Sequence, residues 1–498
     1  MAKLGLWRSW GIVCLCLMRQ GDCLQKPLPD PGTLIEDTTL ISPERSGPLR
    51  HAYVLIQDGR IKAVGKKLTV VDPGVRKINA RGKFLIPGLI DSHVHIGHSA
   101  ALDDDAIDAK PGLWTAYKAQ VPRAYLAFGF TTIVDLDLKP SDAKWFQSAP
   151  LHPRLYHCGK GIKVPGGYGA FQVKTPLSED SPALVYGPQE AKSFPETLDR
   201  ADFTAQRALD RIAESGAICV KAFVEPGFGV FSWPYIHTDT LREIETAAST
   251  HHLPLMVHAT NVYSWRSAID AHAQIIAHGL WIWPGRYDDP QVPQSAREAI
   301  AAAARDHIRV QPTLQTVGGE RAFYDPSILD DLRLGLSLPK EVIAYLRSPE
   351  GVKARTSLLD RYQKMSPAPG FQPSLQGAIQ RTRSTFKLML KDKVPLIFGS
   401  DTPAGDGFGN PPGLNGRLEM QDWADAGVPL ALILRAVTLD NAVALGLAHD
   451  VGSIEVGKRA DMVLLNKNPL VTIGAYDSID KVFLNGAPMN REALQPPN

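Results

Sequence analysis

Two histidines at the end of an apolar run have the residue types and the spacing that most directly indicate chemistry. His93 and His95 lie near the end of segment 84–96, which reads FLIPGLIDSHVHI. Because side chains alternate between the two faces of a strand, the two imidazoles point the same way. Such a pair at the carboxyl end of a buried strand is half of a zinc-type hydrolytic site. The alternative is that two polar residues simply close a strand, because short motifs often match by chance.

Later apolar runs end in further residues of the types that bind metals. These residues are Lys221, His258, His278 and Asp401. Each is weak evidence alone, because a histidine after a strand is often structural and an aspartate there often caps the next helix. Lys221 needs a separate explanation, since burying an uncompensated ammonium group is costly. Capping alone hardly accounts for six such residues in one chain.

The elements that must position these residues follow from the spacing of the apolar runs. Strand-length runs alternate with helical segments, which is typical of βα units and a parallel sheet. We expect strands near residues 84–90, 131–135, 155–158, 217–223, 254–258, 274–278, 308–313 and 394–399. Eight such strands indicate an α/β fold of the TIM (β/α)8 barrel type, in which active sites lie at the carboxyl ends of the strands. All six candidate ligands would then lie at one mouth of the barrel.

The order of the candidate ligands resembles that of the amidohydrolase superfamily. Members of that superfamily carry HxH on barrel strand 1, lysine on strand 4, histidine on strands 5 and 6, and aspartate on strand 8. Stretches 57–65, 129–135 and 452–463 match the superfamily more specifically than the HxH motif does. The likeness runs from about residue 39 to about residue 489 and is to the imidazolonepropionase-related branch, with its prolidase-like and carboxypeptidase-like members.

The domain organisation is predicted from the length of the chain and from the residue pattern at its two ends. A chain of 498 residues exceeds what a single hydrophobic core usually supports. Short alternating runs with turn signals flank the barrel, so we predict one small β-sandwich domain built from residues 30–83 and 447–490, and a barrel over residues 84–446. The alternative is two unrelated terminal hairpins. Segment 318–391 is far longer than a usual loop, and it either shapes the substrate pocket or forms an interface in a homo-oligomer.

The first 23 residues differ from the rest and predict a signal peptide. Lys3 and Arg8 precede an apolar run over residues 10–18, and a small-x-small cleavage pattern ends at Cys23. This pattern predicts a secreted or periplasmic protein; the alternative is a disordered or membrane-apposed N-terminal extension. The run is much shorter than the ~20 residues that span a bilayer, so no membrane span is expected.

The net charge indicates the kind of partner, and the cysteine content indicates whether disulfides are expected. A formal net charge of +2 is close to balance, which argues against nucleic acid and favours a small-molecule substrate. Of the 5 cysteines, only Cys158 and Cys219 lie beyond the predicted leader. Two thiols do not make a disulfide framework, so we expect Cys219 to be a small packing residue.

The resemblance implies a binuclear site with two divalent metal ions, most simply zinc. His93, His95 and Asp401 would hold one ion, and His258 and His278 the other. Lys221, carboxylated by carbon dioxide, would bridge both. Asp401 would also be the catalytic residue that takes a proton from a metal-activated hydroxide and passes it to the leaving nitrogen. The expected reaction is cleavage of an amide C–N bond in a dipeptide or an N-acyl amino acid.

The sequence does not decide which residues contact the substrate or which of several functions the protein has. Tyr168 stands where relatives carry a histidine after two glycines, and Tyr263 stands where prolidase-like members contact a substrate carboxylate; either ring could instead pack on the barrel rim. One rival function is a mononuclear deaminase or cyclic-amide (lactam) hydrolase, in which His278 contacts substrate and Lys221 is not a ligand. A rival of another class is a non-catalytic binding protein of the same fold.

Overall fold

The computed structural model describes residues 32–67, 73–285, 289, 291–366, 369–403 and 407–496. The predicted leader over residues 1–23, and residues 30 and 31 of the predicted small domain, lie outside the described residues. Within those ranges, no helix has the length and apolar character that a membrane crossing requires.

Helices and strands alternate along the middle of the chain, and strands dominate both ends. The strands are β1 Thr33–Leu40, β2 Leu49–Gln57, β3 Arg60–Gly65, β4 Arg76–Asn79, β5 Phe84–Pro87, β6 Leu89–Val94, β7 Phe130–Asp135, β8 Arg154–His157, β9 Ile162–Lys163, β10 Ala183–Leu184, β11 Val220–Phe223, β12 Leu255–His258, β13 Ile275–Ala277, β14 Arg309–Gln311, β15 Met462–Leu465, β16 Ile479–Leu484 and β17 Ala487–Asn490.

The α-helices are α1 Asp104–Ala109, α2 Pro111–Ala127, α3 Pro140–Ser148, α4 Ala205–Glu214, α5 Thr238–Thr250, α6 Val262–Asp270, α7 Gln294–Arg305, α8 Leu314–Gly319, α9 Leu334–Ser337, α10 Lys340–Arg347, α11 Pro349–Met365, α12 Phe371–Lys391, α13 Leu414–Asp425, α14 Leu430–Arg435 and α15 Asn441–Ala444. Short 3₁₀ segments cover Ala191–Ser193, Arg200–Phe203, Glu320–Phe323, Pro326–Asp330, Ile473–Asp477 and Arg491–Leu494, and one π turn covers Ala436–Asp440. The long segment between β14 and the last predicted strand is therefore mostly helical.

Strands from both chain ends pair in a single sheet. Its order is β17-β16-β15-β5-β1-β2-β3, with β4 beside β1. The two ends meet where β5 runs antiparallel to β15, with Leu85 opposite Leu464. Both of these residues are fully buried in the same apolar cluster, which gives this sheet a core of its own.

The single strand predicted over residues 84–90 is wrong, because the chain forms two strands there. β5 belongs to the terminal sheet, whereas β6 begins a parallel sheet. The backbone changes partner at Gly88, which donates to the carbonyl of Asp461, while Leu89 donates to the carbonyl of Gly129. A Cβ at Gly88 would lie only 2.0 Å from Oγ1 of Thr131, so the crossing point has no room for a side chain.

The middle of the chain forms two parallel sheets. One has the order β6-β7-β8 and the other the order β10-β9-β11-β12-β13-β14. Single parallel bridges from Val310 to Leu396 and from Val94 to Thr402 connect the far edge of the longer sheet to β6. The strands show an α/β fold with a second, terminal sheet, but their ladders do not form a closed barrel in the described residues.

The expected last strand over residues 394–399 is not a strand in the structure: it has one isolated bridge, at Leu396, and the Ser92 backbone donates to the carbonyl of Phe398 at 3.4 Å. A side chain replaces part of the missing ladder. The buried amide of Asn441 accepts from the Phe398 backbone at 2.9 Å and donates to the carbonyls of Ile90 and Phe398 at 2.9 and 2.8 Å. Asn441 therefore ties this segment to β6 without strand geometry.

Cys158 and Cys219 form a disulfide, so the expectation of a merely packed Cys219 is wrong. Cys158 directly follows β8, and Cys219 directly precedes β11. The Ile218 backbone donates to the carbonyl of His157 at 2.9 Å, which brings the two chain segments side by side. The two cysteines are 61 positions apart in sequence, so only this neighbourhood in the fold reveals the pairing.

Candidate metal centre

The carboxylate of Asp401 lies among three of the predicted ligands. Its Oδ1 is 3.2 Å from Nε2 of His93 and 3.1 Å from Nε2 of His95. Its Oδ2 is 3.7 Å from Nδ1 of His278. His93 lies in β6 and His95 directly follows it, and the segment that Asn441 ties to β6 delivers Asp401. Both imidazoles lie on the carboxylate side, as expected for positions two residues apart along an extended chain.

The remaining predicted ligands lie beside this group. The imidazole of His258 packs against that of His278, with ring centroids 4.5 Å apart. The ring centroids of His278 and His93 are 5.1 Å apart. Lys221 is fully buried in β11 and interacts electrostatically with Asp401 and with all four of these histidines. The structure therefore brings all six predicted ligand residues together.

The donor set fits a divalent metal ion. One nitrogen of His93, one of His278 and one carboxylate oxygen of Asp401 all lie within 4.8 Å of one another. Among the described residues, four buried nitrogens of the site make no hydrogen bond with the protein: Nε2 of His93, Nδ1 of His95, Nε2 of His258 and Nζ of Lys221. Buried polar atoms are nearly always satisfied, so these nitrogens favour a ligand such as a metal ion.

Burial sets the charge of the site. It lowers the pKa of His93 to about 3 and the pKa of His278 well below its usual value, which keeps both imidazoles in the neutral form that binds metals. Burial alone would raise the pKa of Asp401, but the neighbouring histidines outweigh it and hold that pKa well below its usual value. Burial lowers the pKa of Lys221 to about 7, against the opposing pull of Asp401 and Asp137.

Gln311 at the end of β14 fixes the tautomer of His93. Its side-chain nitrogen donates to the carbonyl of Ser92 at 3.1 Å and to the Ser92 hydroxyl at 2.6 Å. Its oxygen must then accept from Nδ1 of His93, 3.2 Å away, which leaves Nε2 of His93 with the lone pair that faces Asp401. A Cβ at Gly399 would approach both His93 and Gln311 within 3.0 Å, so only glycine fits beside these two side chains.

Asp91 ties the backbone of His93 to the segment that carries Asp401. The Asp91 carboxylate accepts from the Ser400 backbone at 3.0 Å and from the Ser400 hydroxyl at 2.5 Å, and also from the His93 backbone at 3.2 Å. Burial raises the pKa of Asp91 to about 7, although these donors oppose the shift. Asp91 therefore supports the ligands through the backbone.

Two of the predicted ligands occupy the left-handed backbone region that favours glycine. His278 has a φ of 79° and Asp401 a φ of 55°. Such backbone strain in non-glycine residues persists only where the surroundings enforce it, and it concentrates at functional sites. At Asp401 the backbone donates to the carbonyl of His93 at 2.8 Å, which helps to hold the turn.

Sequence reasoning missed Glu225, a fully buried carboxylate just after β11. One of its oxygens lies 3.5 Å from Nε2 of His258 and accepts from the Thr260 hydroxyl. The other accepts from the Gly227 backbone at 3.0 Å and from the Asn261 amide at 3.4 Å. Glu225 thus places negative charge beside the imidazole of His258, the kind of neighbour that orients a metal-binding ring. The signal in the sequence is a lone glutamate four positions after Lys221, which matches no metal motif.

The two tyrosines predicted to contact substrate have different surroundings. Tyr168 lies on the loop after β9, and its ring stacks on His258 with centroids 5.0 Å apart. Tyr263 lies at the start of α6 with 39% of its area exposed, and its ring contacts Tyr235 at 5.3 Å. The structure thus brings Tyr168 to the metal centre and places Tyr263 on the rim.

The sequence profile of the amidohydrolase family matches residues 84–281 and 339–489, which is more than half of the chain. This chain therefore belongs to the amidohydrolase family. The two matched ranges carry all six of the residues that converge around Asp401, together with Glu225 and Asp91.

Individual relatives cover nearly the whole chain at low identity. The imidazolonepropionase of Caldanaerobacter subterraneus subsp. tengcongensis is 22% identical over 427 residues, which is 85% of this chain and 86% of that protein. A prolidase solved in complex with N-methylphosphonate-L-proline is 21% identical, with a TM-score of 0.64 over 92% of this chain and 100% of the other. A molinate hydrolase structure is 20% identical, with a TM-score of 0.63 over 94% and 96% of the two chains. The two structures share the fold of this protein.

A first prediction concerns Glu225. Replacing Glu225 by Gln should weaken metal affinity by about 10- to 100-fold, because the carboxylate that faces His258 loses its charge. Titration of the protein with Zn²⁺ against a competing chelator measures this. Glu243→Gln is a matched control, because Glu243 is exposed on α5. An unchanged affinity for Zn²⁺ in the Glu225 variant would show that the carboxylate has only a structural role.

Proposed function

We propose that this protein is a metal-dependent hydrolase that cleaves an amide C–N bond in a dipeptide or an N-acyl amino acid. The observation that carries the proposal is the buried carboxylate of Asp401 among His93, His95 and His278, within a chain of the amidohydrolase family. The ligand of the prolidase relative, an analogue built on proline, supports a substrate with an amino acid on one side of the scissile bond.

We propose two divalent metal ions, most simply zinc, as cofactors. His93, His95 and Asp401 would hold one ion, His258 and His278 the other, and Lys221 would span both as a carbamate. A carbamate forms when a neutral amine adds carbon dioxide and releases a proton, which turns a cation into an anionic ligand. The support is that Nζ of Lys221 is buried among the other five residues without a hydrogen bond from the described protein.

In the reaction, the bound metal would polarise the scissile carbonyl and lower the pKa of the attacking water from about 15.7 towards 7. Asp401 would take the proton of the nucleophile on a carboxylate oxygen and deliver it to the leaving nitrogen as general acid. Gln311 would keep the tautomer of His93 constant through the cycle. Tyr168 and Tyr263 are the proposed substrate contacts, with Tyr168 nearer to the reacting atoms because its ring lies on His258.

A second candidate is a mononuclear deaminase or cyclic-amide hydrolase. The observation that favours it is the close group of His93, His95 and Asp401, which could hold a single ion and leave His278 for the substrate. The imidazolonepropionase relative supports the cyclic-amide version by its name. Metal analysis of the purified protein separates the two candidates, because one expects about two ions per chain and the other one ion.

We also propose that the protein is exported to the periplasm or secreted. The predicted leader supports export, and so does the disulfide between Cys158 and Cys219, because disulfides persist mainly in oxidising compartments. N-terminal sequencing of the exported protein should find a start after residue 23. A full-length chain with reduced thiols in the cytosol would contradict the proposal.

The reaction itself is tested by screening the purified, zinc-loaded protein against dipeptides, N-acyl amino acids, lactams and lactones. Release of free amino acid from the first two classes is the expected result. Turnover confined to lactams would favour the cyclic-amide hydrolase. Failure to hydrolyse any class, with metal bound, would favour a non-catalytic binding protein.

Replacing Lys221 by Ala should remove both metals and the activity, because the bridging group is lost. Short carboxylic acids should partly restore both, since they can occupy the space of the missing carbamate. Metal content by mass spectrometry and hydrolysis rates measure the two effects, with Lys387→Ala on the exposed side of α12 as the matched control. A fully metallated and active Lys221→Ala protein would rule out the binuclear site.

Replacing Asp401 by Asn keeps the shape of the side chain but removes its basicity. We expect this variant to fold, to bind at least one metal ion and to lose at least about 10²-fold in turnover, the lower end of what general acid–base catalysis contributes. Steady-state kinetics on a substrate from the screen measures the loss. Turnover within a few-fold of wild type would leave Asp401 as a ligand only and require another route for the proton.

A further inference from the structure

A continuous group of aromatic side chains leads from the metal centre to the protein surface. We call it the aromatic wall, and it consists of Tyr168, Phe171, Phe228, Phe231 and Trp233. Two loops at the carboxyl ends of neighbouring strands build it: the loop after β9 supplies the first two residues and the loop after β11 the other three.

Trp233 is the hub of the aromatic wall. Its ring centroid lies 5.1 Å from that of Phe228, 5.3 Å from that of Phe231, 5.4 Å from that of Phe171 and 5.5 Å from that of Tyr168. These distances fall in the range of favourable ring–ring contacts, so the residues support one another as a preformed surface.

The inner end of the wall touches the catalytic machinery. Tyr168 stacks on the imidazole of His258 with an interplanar angle of 28°, and Phe223 stacks on the same imidazole with centroids 5.4 Å apart. A substrate group that lay along the wall would therefore be separated from His258, a proposed metal ligand, by a single aromatic ring. The wall and the metal centre form one continuous site.

The outer end of the wall is open to solvent. Phe171 is 56% exposed, Phe231 is 37% exposed and the neighbouring Val230 is 61% exposed. Large apolar side chains exposed together mark binding surfaces more often than ordinary surface, because water contact with them is unfavourable.

The wall carries no charge that would select an ionic group. The parts of the two loops that carry the wall residues, 164–173 and 226–236, contain no Asp, Glu, Lys, Arg or His. The neighbouring cation Lys163 donates to the carboxylate of Asp137 and has its ammonium group 4.7 Å from the ring of Phe223. The partner of this surface must therefore be apolar and uncharged over the length of the wall.

We propose that the aromatic wall is the specificity pocket for a bulky apolar group, preferably an aromatic ring, carried by the substrate next to the scissile amide. This proposal deepens the proposed function and rests on it for the position of the amide. An aromatic ring is favoured over an aliphatic group because the wall offers both ring faces and ring edges, with Phe231 parallel to Trp233 at 15° and Phe228 nearly perpendicular to it at 81°.

The first experiment measures binding without turnover. Calorimetry with the zinc-loaded full chain compares the N-methylphosphonate derivatives of L-phenylalanine, L-leucine, L-alanine and L-glutamate, which have no amide bond to cleave. We expect the phenylalanine compound to bind at least about 10-fold more tightly than the alanine compound, and the glutamate compound to bind no better than alanine. Equal binding of all four would overturn the proposal.

Variants assign that preference to the wall. Phe231→Ala and Trp233→Leu should each reduce the preference for phenylalanine over alanine by about 10-fold, in binding and in the ratio of kcat/KM values. Leu332→Ala is the matched control, because Leu332 is 97% exposed and lies on neither of the two loops. Phe231 is partly exposed, so its replacement should leave the melting temperature close to wild type even if Trp233→Leu lowers it. An undiminished preference in Phe231→Ala would overturn the proposal.

The outcomes separate this inference from the proposed function. Hydrolysis of N-acyl amino acids without aromatic preference would overturn the inference and leave the proposed function intact. Wall-dependent binding of the phenylalanine compound without hydrolysis of any amide would overturn the proposed function and leave the pocket. The wall would instead be an interface between copies if Phe231→Lys converted a dimer into a monomer in light scattering while the binding preference was absent.

Discussion

The buried carboxylate of Asp401 faces three imidazoles, and the positions of its neighbours follow from that contact. An isolated carboxylate would be costly at this depth, so the histidines and Lys221 must lie close enough to keep it ionised. The chain reaches the required position through a left-handed turn at Asp401. Asn441 and Asp91 hold that turn against β6 with hydrogen bonds to both segments.

The convergence of the six ligand-type residues could be predicted from sequence for a simple physical reason. Parallel strands present their carboxyl ends at one edge, so residues that end successive apolar runs must meet there. The spacing of His93 and His95 predicts that both imidazoles lie on one face, because the side-chain period of a strand is two. The number of metal ions at the site and the bridging role of Lys221 depend on chemistry that neither the spacing of residues nor their burial specifies. Both therefore stay predictions.

Features that depend on which strands become neighbours could not be read from the sequence. The disulfide joins Cys158 to Cys219 because β8 ends beside the start of β11, across 61 positions of chain. Glu225 reaches His258 only because β11 and β12 pair in parallel, with Phe223 opposite His258. The last expected strand is mostly irregular because Asn441, a distant side chain, satisfies the backbone of Phe398. In each case an apolar pattern indicated an element but could not identify its partner.

The fold separates the residues proposed to hold a metal from those proposed to choose a substrate. Five of the six residues proposed to bind metal lie on strands or directly after them, and the backbone of the sixth, Asp401, donates to the carbonyl of His93 in β6. The aromatic wall, in contrast, lies on two loops. Loops accept substitution more readily than strands, so the wall could change without disturbing Asp401 or its histidines. Tyr168 is the exception, because its ring belongs to the wall and also lies on His258. A change at this one position would alter substrate choice and the metal centre together.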